Sequence, residues 1–142
     1  MGELEERITP TIGAKEGVSH GIVDGRLKPC PNRPNCVSSQ EEAGDKQHYT
    51  EALTYSGEPV QAREWLEQAI DSMRRVQIAV REANYWCVEF SSALWGFVDD
   101  VEFLFDENAK RIEVRSASRV GYSDLGVNRR RIEVIRRRFS GQ

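Results

Sequence analysis

The hydrophobic positions of this chain follow two periodicities separated by short polar breaks. From Glu58 to Arg75, the residues Ala62, Trp65, Leu66, Ala69, Ile70 and Met73 recur at helical spacing with charges opposite. Pro59 suits a first helical turn, so the segment predicts an amphipathic helix. The period then drops to two. Val76, Ile78 and Val80 alternate with polar positions, and Trp86, Val88 and Phe90 do the same after a break. A three-residue loop, Glu82-Ala83-Asn84, pairs Val80 with Trp86, Ile78 with Val88 and Val76 with Phe90, with Asn84 where a left-handed backbone is wanted. A second hairpin turns at Glu107-Asn108-Ala109-Lys110. It pairs Phe105 with Ile112, Phe103 with Val114 and Val101 with Ser116, which sets Glu102 opposite Arg115 on the other face. A one-residue slip would turn either apolar set outward, which fixes these registers. From about Asp124 to Phe139 the helical period returns through Leu125, Asn128, Ile132, Ile135 and Phe139, with Ser123 or Asp124 as N-cap.

The order α-β-β-β-β-α predicts an α+β fold. A four-stranded antiparallel meander would carry both amphipathic helices on one face and leave the other face polar. Ahead of this core, residues 58–142, lie a flexible tail over 1–24 and an extended, Pro/Cys-rich N-terminal arm over 25–57, the whole forming one domain. In the arm, Pro29, Pro31, Pro34, Asn32 and Asn35 prevent a helix. A disulfide between Cys30 and Cys36 would close a small loop there, contributing roughly 2–2.5 kcal/mol less any strain, and would suit an oxidising compartment. Cys87, inside a strand pattern, reads as a structural thiol. His20 and His48 are isolated and no second Cys or His pair has zinc-finger spacing, so neither a metal nor another cofactor is expected.

Length and charge add to this picture. The 142 residues are 30% charged and 39% hydrophobic, which fits one soluble globular domain. No apolar run approaches the ~20 residues of a transmembrane helix. The net charge of −3 is a cancellation. Residues 1–100 hold 10 Lys/Arg against 17 Asp/Glu, whereas residues 101–142 hold 10 against 6. The basic excess lies in Arg129-Arg130-Arg131 and Arg136-Arg137-Arg138. An acidic domain without interleaved basic and aromatic residues is a poor nucleic-acid binder, so these triplets read as a solvated helix face. The acidic N-terminus lacks the apolar stretch of a secretory signal, which leaves open a cytoplasmic protein or one whose targeting segment has been removed.

The densest candidate chemistry lies between residues 97 and 130. Asp99 shares strand parity with Val101 and Phe103, so its carboxylate points to the apolar side and needs a partner. The hairpin register brings Ser118 opposite, followed by Arg119, with Tyr122, Asp124, Asn128 and Arg129 in reach. On the other face Asp100, Glu102, Arg111, Glu113 and Arg115 form a charged cross-strand ladder. Two readings follow. One is a pocket for a small anion or polar ligand, with Arg115 or Arg119 as clamp and, in an enzymatic version, Asp99 as general base. The other is a structural network tying the last strand to the last helix. No nucleophile–base–orienter set and no Gly-rich phosphate loop is visible, so whether the chain is an enzyme stays open.

Three separated segments give the chain a family likeness: Leu27 through Ser39, Phe97 through Phe103, and Val114 through Arg129. In these it resembles the bacterial and chloroplast family called domain of unknown function 1499, over roughly residues 25–139. The resemblance implies no activity. It implies relatives that carry an export signal, a lipoprotein signal or a membrane anchor, and hence a periplasmic, envelope or thylakoid-lumenal setting that agrees with paired cysteines. The expectation is a non-catalytic binding or assembly module of an envelope or thylakoid complex, meeting a protein partner through the arm, with Trp95 as anchor unless it belongs to the core. The alternative is a small-anion-binding protein or enzyme built around Asp99 and Arg119.

Overall fold

A computed structural model describes residues 20–139. Most of the predicted tail, residues 1–19, and the last three residues lie outside the described residues. In chain order the elements are β1 (Ile22–Val23), β2 (Arg26–Leu27), β3 (Cys36–Ser38), β4 (Leu53–Thr54), α1 (Pro59–Asp71), β5 (Val76–Arg81), β6 (Tyr85–Ser91), β7 (Val98–Asp106), β8 (Arg111–Ser118) and α2 (Val127–Arg138). Strands β5 to β8 run as successive antiparallel neighbours. The β7–β8 register is the predicted one, with Asp99 against Ser118, Glu102 against Arg115 and Phe105 against Ile112.

Both helices cover one face of this sheet. Leu66 and Ile70 of α1 and Ile132 and Ile135 of α2 are fully buried against Val88, Val101, Phe103 and Val114. Trp65 meets Phe139 edge-on at 6.2 Å and Trp86 meets Phe105 at 5.0 Å, closing the two ends of the layer. Helix α1 starts at Pro59, with the Gln61 side chain reaching back to the Glu58 N–H.

Three expectations need correction. First, the sheet has six strands, not four. Both β3 and β4, from the stretch read as an arm, pair antiparallel with β8: Cys36, Val37 and Ser38 lie against Ala117, Ser116 and Arg115, and Leu53 against Ile112. Without them β8 would be a bare edge of unpaired peptide groups. Runs of two and three residues are too short to carry a periodic signal. Second, the face away from the helices is not a solvated polar surface. Leu27, Tyr85, Cys87 and Leu104 form a second buried apolar cluster there, and Asp100, Glu102 and Arg115 are buried with them. Third, the first hairpin carries a β-bulge between Ile78 and Val80, so Val80 faces Cys87 and Arg81 faces Trp86. The extra residue turns Val80 onto the second cluster.

Helix α2 also begins later than Asp124. Gly126 is the N-cap in a left-handed conformation (φ 83°), where a Cβ would meet Arg130 Nη1 at 2.8 Å. Asp124 still serves the helix start, because its carboxylate accepts the Gly126 N–H (2.7 Å) and the Asn128 N–H (3.2 Å). Leu125 is left exposed rather than buried in the stripe.

Candidate functional site

The sheet sorts the predicted site residues by parity into two groups on opposite faces. On the arm side, Glu102 and Arg115 are completely buried and form an ion pair at 3.2 Å. The second Glu102 oxygen accepts the Tyr85 hydroxyl (2.6 Å) and the Gly21 N–H (2.7 Å), while Arg115 Nη2 donates to Pro29 O. Burying such a pair is costly without further hydrogen bonds, and the folded-back N-terminal stretch supplies two, although Arg115 Nε is left without a partner among the described residues. Burial, then the neighbouring Glu102, push the Tyr85 hydroxyl and the Cys87 thiol well above their ordinary pKa values.

Arg119 lies at the margin of the same face. It holds Asp100 through both oxygens (2.8 and 2.8 Å) and reaches Glu89 at 2.9 Å, and these hydrogen bonds raise its pKa further. His20 stands behind Asp100, with Nδ1 3.5 Å from its carboxylate. Arg119 and Asp99 therefore do not meet around one ligand; each has its own counter-ion on its own side of the sheet.

On the helix side Asn128 is the hub. It is fully buried, and its amide nitrogen donates to Asp124 (2.7 Å), Ser118 (2.9 Å) and the Asn35 carbonyl (3.2 Å), while its oxygen accepts from Ser116 and from Arg131. Asp99 pairs with Arg131 at 2.8 Å, an arginine that the charge pattern assigned to a solvated face. Arg129 is a clamp on the chain before β4, donating to the carbonyls of Tyr49, Lys46 and Gln47; Arg136 does the same with Ala52 and Glu51. Tyr122 is 69% exposed and belongs to neither network. The predicted disulfide Cys30–Cys36 is formed, ahead of and into β3.

Beside Asp99 lies an open groove of ≈ 710 Å³. Phe90, Phe97, Val120 and Val127 supply its apolar wall, and Arg74, Arg75 and Arg131 its charge. Two loops border it: 92–97, closed by hydrogen bonds between Ser92 and Phe97, and 119–126. They display Leu94, Trp95, Phe97, Val120, Tyr122 and Leu125 to solvent, with Trp95 72% exposed, which settles that it is not a core residue.

Residues 26–139 match the family described as protein of unknown function (DUF1499). The chain belongs to this family. No curated protein matches it. In this DUF1499 chain the three segments behind the likeness come together. The first docks on the strand that opens the third, with Asn35 accepting the Ser118 N–H and donating to Gly121 O. The second supplies β7, which carries Asp99, Asp100 and Glu102. Asn35, Tyr85, Cys87, His20 and Arg131 all take part and were not among the candidate site residues read from the sequence. Strand parity assigns Tyr85 and Cys87 to the face of Glu102; for His20 and Asn35 the sequence carries no local signal. Among the described residues no helix is long and apolar enough to cross a membrane.

Proposed function

We propose that this DUF1499 domain is a non-catalytic binding module whose docking surface is the groove between loops 92–97 and 119–126. The observation that carries the reading is the concentration of exposed large side chains, Leu94, Trp95, Phe97, Val120, Tyr122 and Leu125, on two loops at one end of the sheet. Large exposed side chains gathered on loops that border one groove, two of them (Phe97 and Val120) in its wall, mark an interaction site, and Trp and Tyr are the residues that dominate such sites. The polar networks beside it are engaged internally, which leaves binding rather than chemistry as the use of this end.

The partner is a protein segment with an apolar anchor flanked by acidic residues. The groove is concave, which suits a side chain. Three guanidiniums line it against two carboxylates, of which Asp99 is held by Arg131 and Asp124 by the start of α2. The disulfide and the family likeness support an oxidising setting, so the complex is one of the envelope or the thylakoid.

Photo-crosslinking in the native host tests this. A benzophenone side chain at position 95 or 122 is expected to give one dominant protein adduct. The adduct should be absent when the probe sits at the exposed Val60 of α1, and lost when Arg74 and Arg75 are replaced by Glu. No adduct, the same adducts from position 60, or adducts to lipid alone would overturn the proposal.

A further inference from the structure

We propose that His20, Cys87 and Asp100 form a binding site for a borderline divalent cation of the zinc type, seated between the N-terminal hairpin and the sheet. The three donor atoms lie within 4.8 Å of one another, and all three residues are buried. The His20 Nδ1 to Asp100 Oδ2 separation is 3.5 Å. Two ligands about 2.0–2.2 Å from a tetrahedral ion stand roughly 3.4 Å apart, so this gap has the width of a shared cation.

A second observation points the same way. Nδ1 of His20 has no hydrogen-bond partner although the residue is only 4% exposed. Buried polar atoms in folded proteins are nearly always satisfied, and an imidazole nitrogen left without a hydrogen bond beside a carboxylate and a thiol is placed as a metal ligand would be. The position is imposed by the chain: the next residue, Gly21, is fixed by its N–H to Glu102, and Cys87 and Glu102 are direct partners across the strands.

Charge and donor type agree. Asp100, Glu102 and Glu89 face Arg115 and Arg119 here, one negative charge in excess. On binding, the Cys87 S–H bond breaks, a sulfur–metal bond forms and the proton leaves to solvent. The dication and the new thiolate together add one positive charge, which cancels the excess. A nitrogen, a sulfur and an oxygen donor select zinc-like ions over magnesium or calcium. Arg119, gripping Asp100 from outside, orients that carboxylate. With every ligand buried, the ion would be structural and would lock residues 20–27 to the sheet.

The test is cobalt(II) titration of the metal-free full chain with its disulfide intact. Cys87 is then the free thiol, since Cys30 and Cys36 are joined. One equivalent is expected to raise a thiolate-to-cobalt charge-transfer band in the near ultraviolet, displaced by zinc. H20Q should weaken binding at least tenfold, and H48Q should leave it unchanged. Zinc should raise the Tm of the wild type and not of H20Q. Absence of the band in the wild type at saturating cobalt, wild-type affinity in H20Q, or loss of binding in H48Q would overturn the site. Absence of the wild-type band overturns the site even if H20Q fails to fold.

Discussion

The two faces of the sheet are buried to similar depth by different means. The helix face is covered by two regular stripes of Leu, Ile and Phe whose contacts ask for complementary volume, with the Asn128 network confined to the start of α2. The arm face is covered by the β1–β2 hairpin and the loop that follows it, and its centre is a wholly buried ion pair with further hydrogen bonds to Gly21, Pro29 and Tyr85. An apolar face tolerates many coverings of the right period. A charged face accepts only the covering that presents those particular donors and acceptors, so the stretch from Gly21 to Pro29 is held in one register.

That contrast can be broken most forcibly at its centre. Arg115→Met leaves Glu102 buried without its counter-charge and should cost about 3–5 kcal/mol in urea denaturation. Ile132→Ala on the helix face should cost ~2–5 kcal/mol. The distinction lies in rescue: adding Glu102→Gln to Arg115→Met should recover part of the loss, and a double variant as costly as the sum of the singles would show that the faces do not differ in kind. Next in size, replacing Cys30 and Cys36 by Ser should cost about 2 kcal/mol, with amide exchange rising first in residues 27–42 and later on the helix face. Asp124→Ala removes the acceptor for the first N–H groups of α2 and should cost ~1 kcal/mol by the same assay.

The smallest effect concerns pH. His48 is buried, which alone would lower its pKa, but the Asp45 carboxylate at Nδ1 (2.9 Å) and the Arg33 carbonyl at Nε2 (2.8 Å) outweigh burial and raise it, with Glu41 adding to the effect. A raised folded-state pKa stabilises fully below the unfolded value near 6.5 and is lost as pH rises through the folded value. The stability difference between wild type and H48Q should therefore be largest near pH 5.5 and shrink in mildly alkaline solution. A difference that grows with pH would contradict the sign.

Legibility in the sequence divides along the same line. The helix stripes and the β7–β8 register were readable because Phe103, Val101 and Ile112 repeat at periods that only one geometry satisfies. The opposition of Glu102 and Arg115 was readable too, but not its burial, because charged residues in alternation look alike whether water or another segment covers them. The bulge that turns Val80 has no marker in Ala79, and β3 and β4 are too short to repeat anything. Asn128 and Asp124 were correctly drawn to one place. Asn128's further partner Asn35 was out of reach, 93 positions away.

The strand that receives β3 and β4 is the last one made. Residues 36–54 have no sheet edge to join until β8 is in place, so β3 and β4 must wait for a strand far along the chain. Pairings at such separations close slowly compared with hairpins. The Cys30–Cys36 loop spans a sequence separation of only 6 and needs no distant partner. Oxidation can thus shape the segment that enters β3 before the distant edge of β8 has received it, so the loop and the edge it joins are set by separate events.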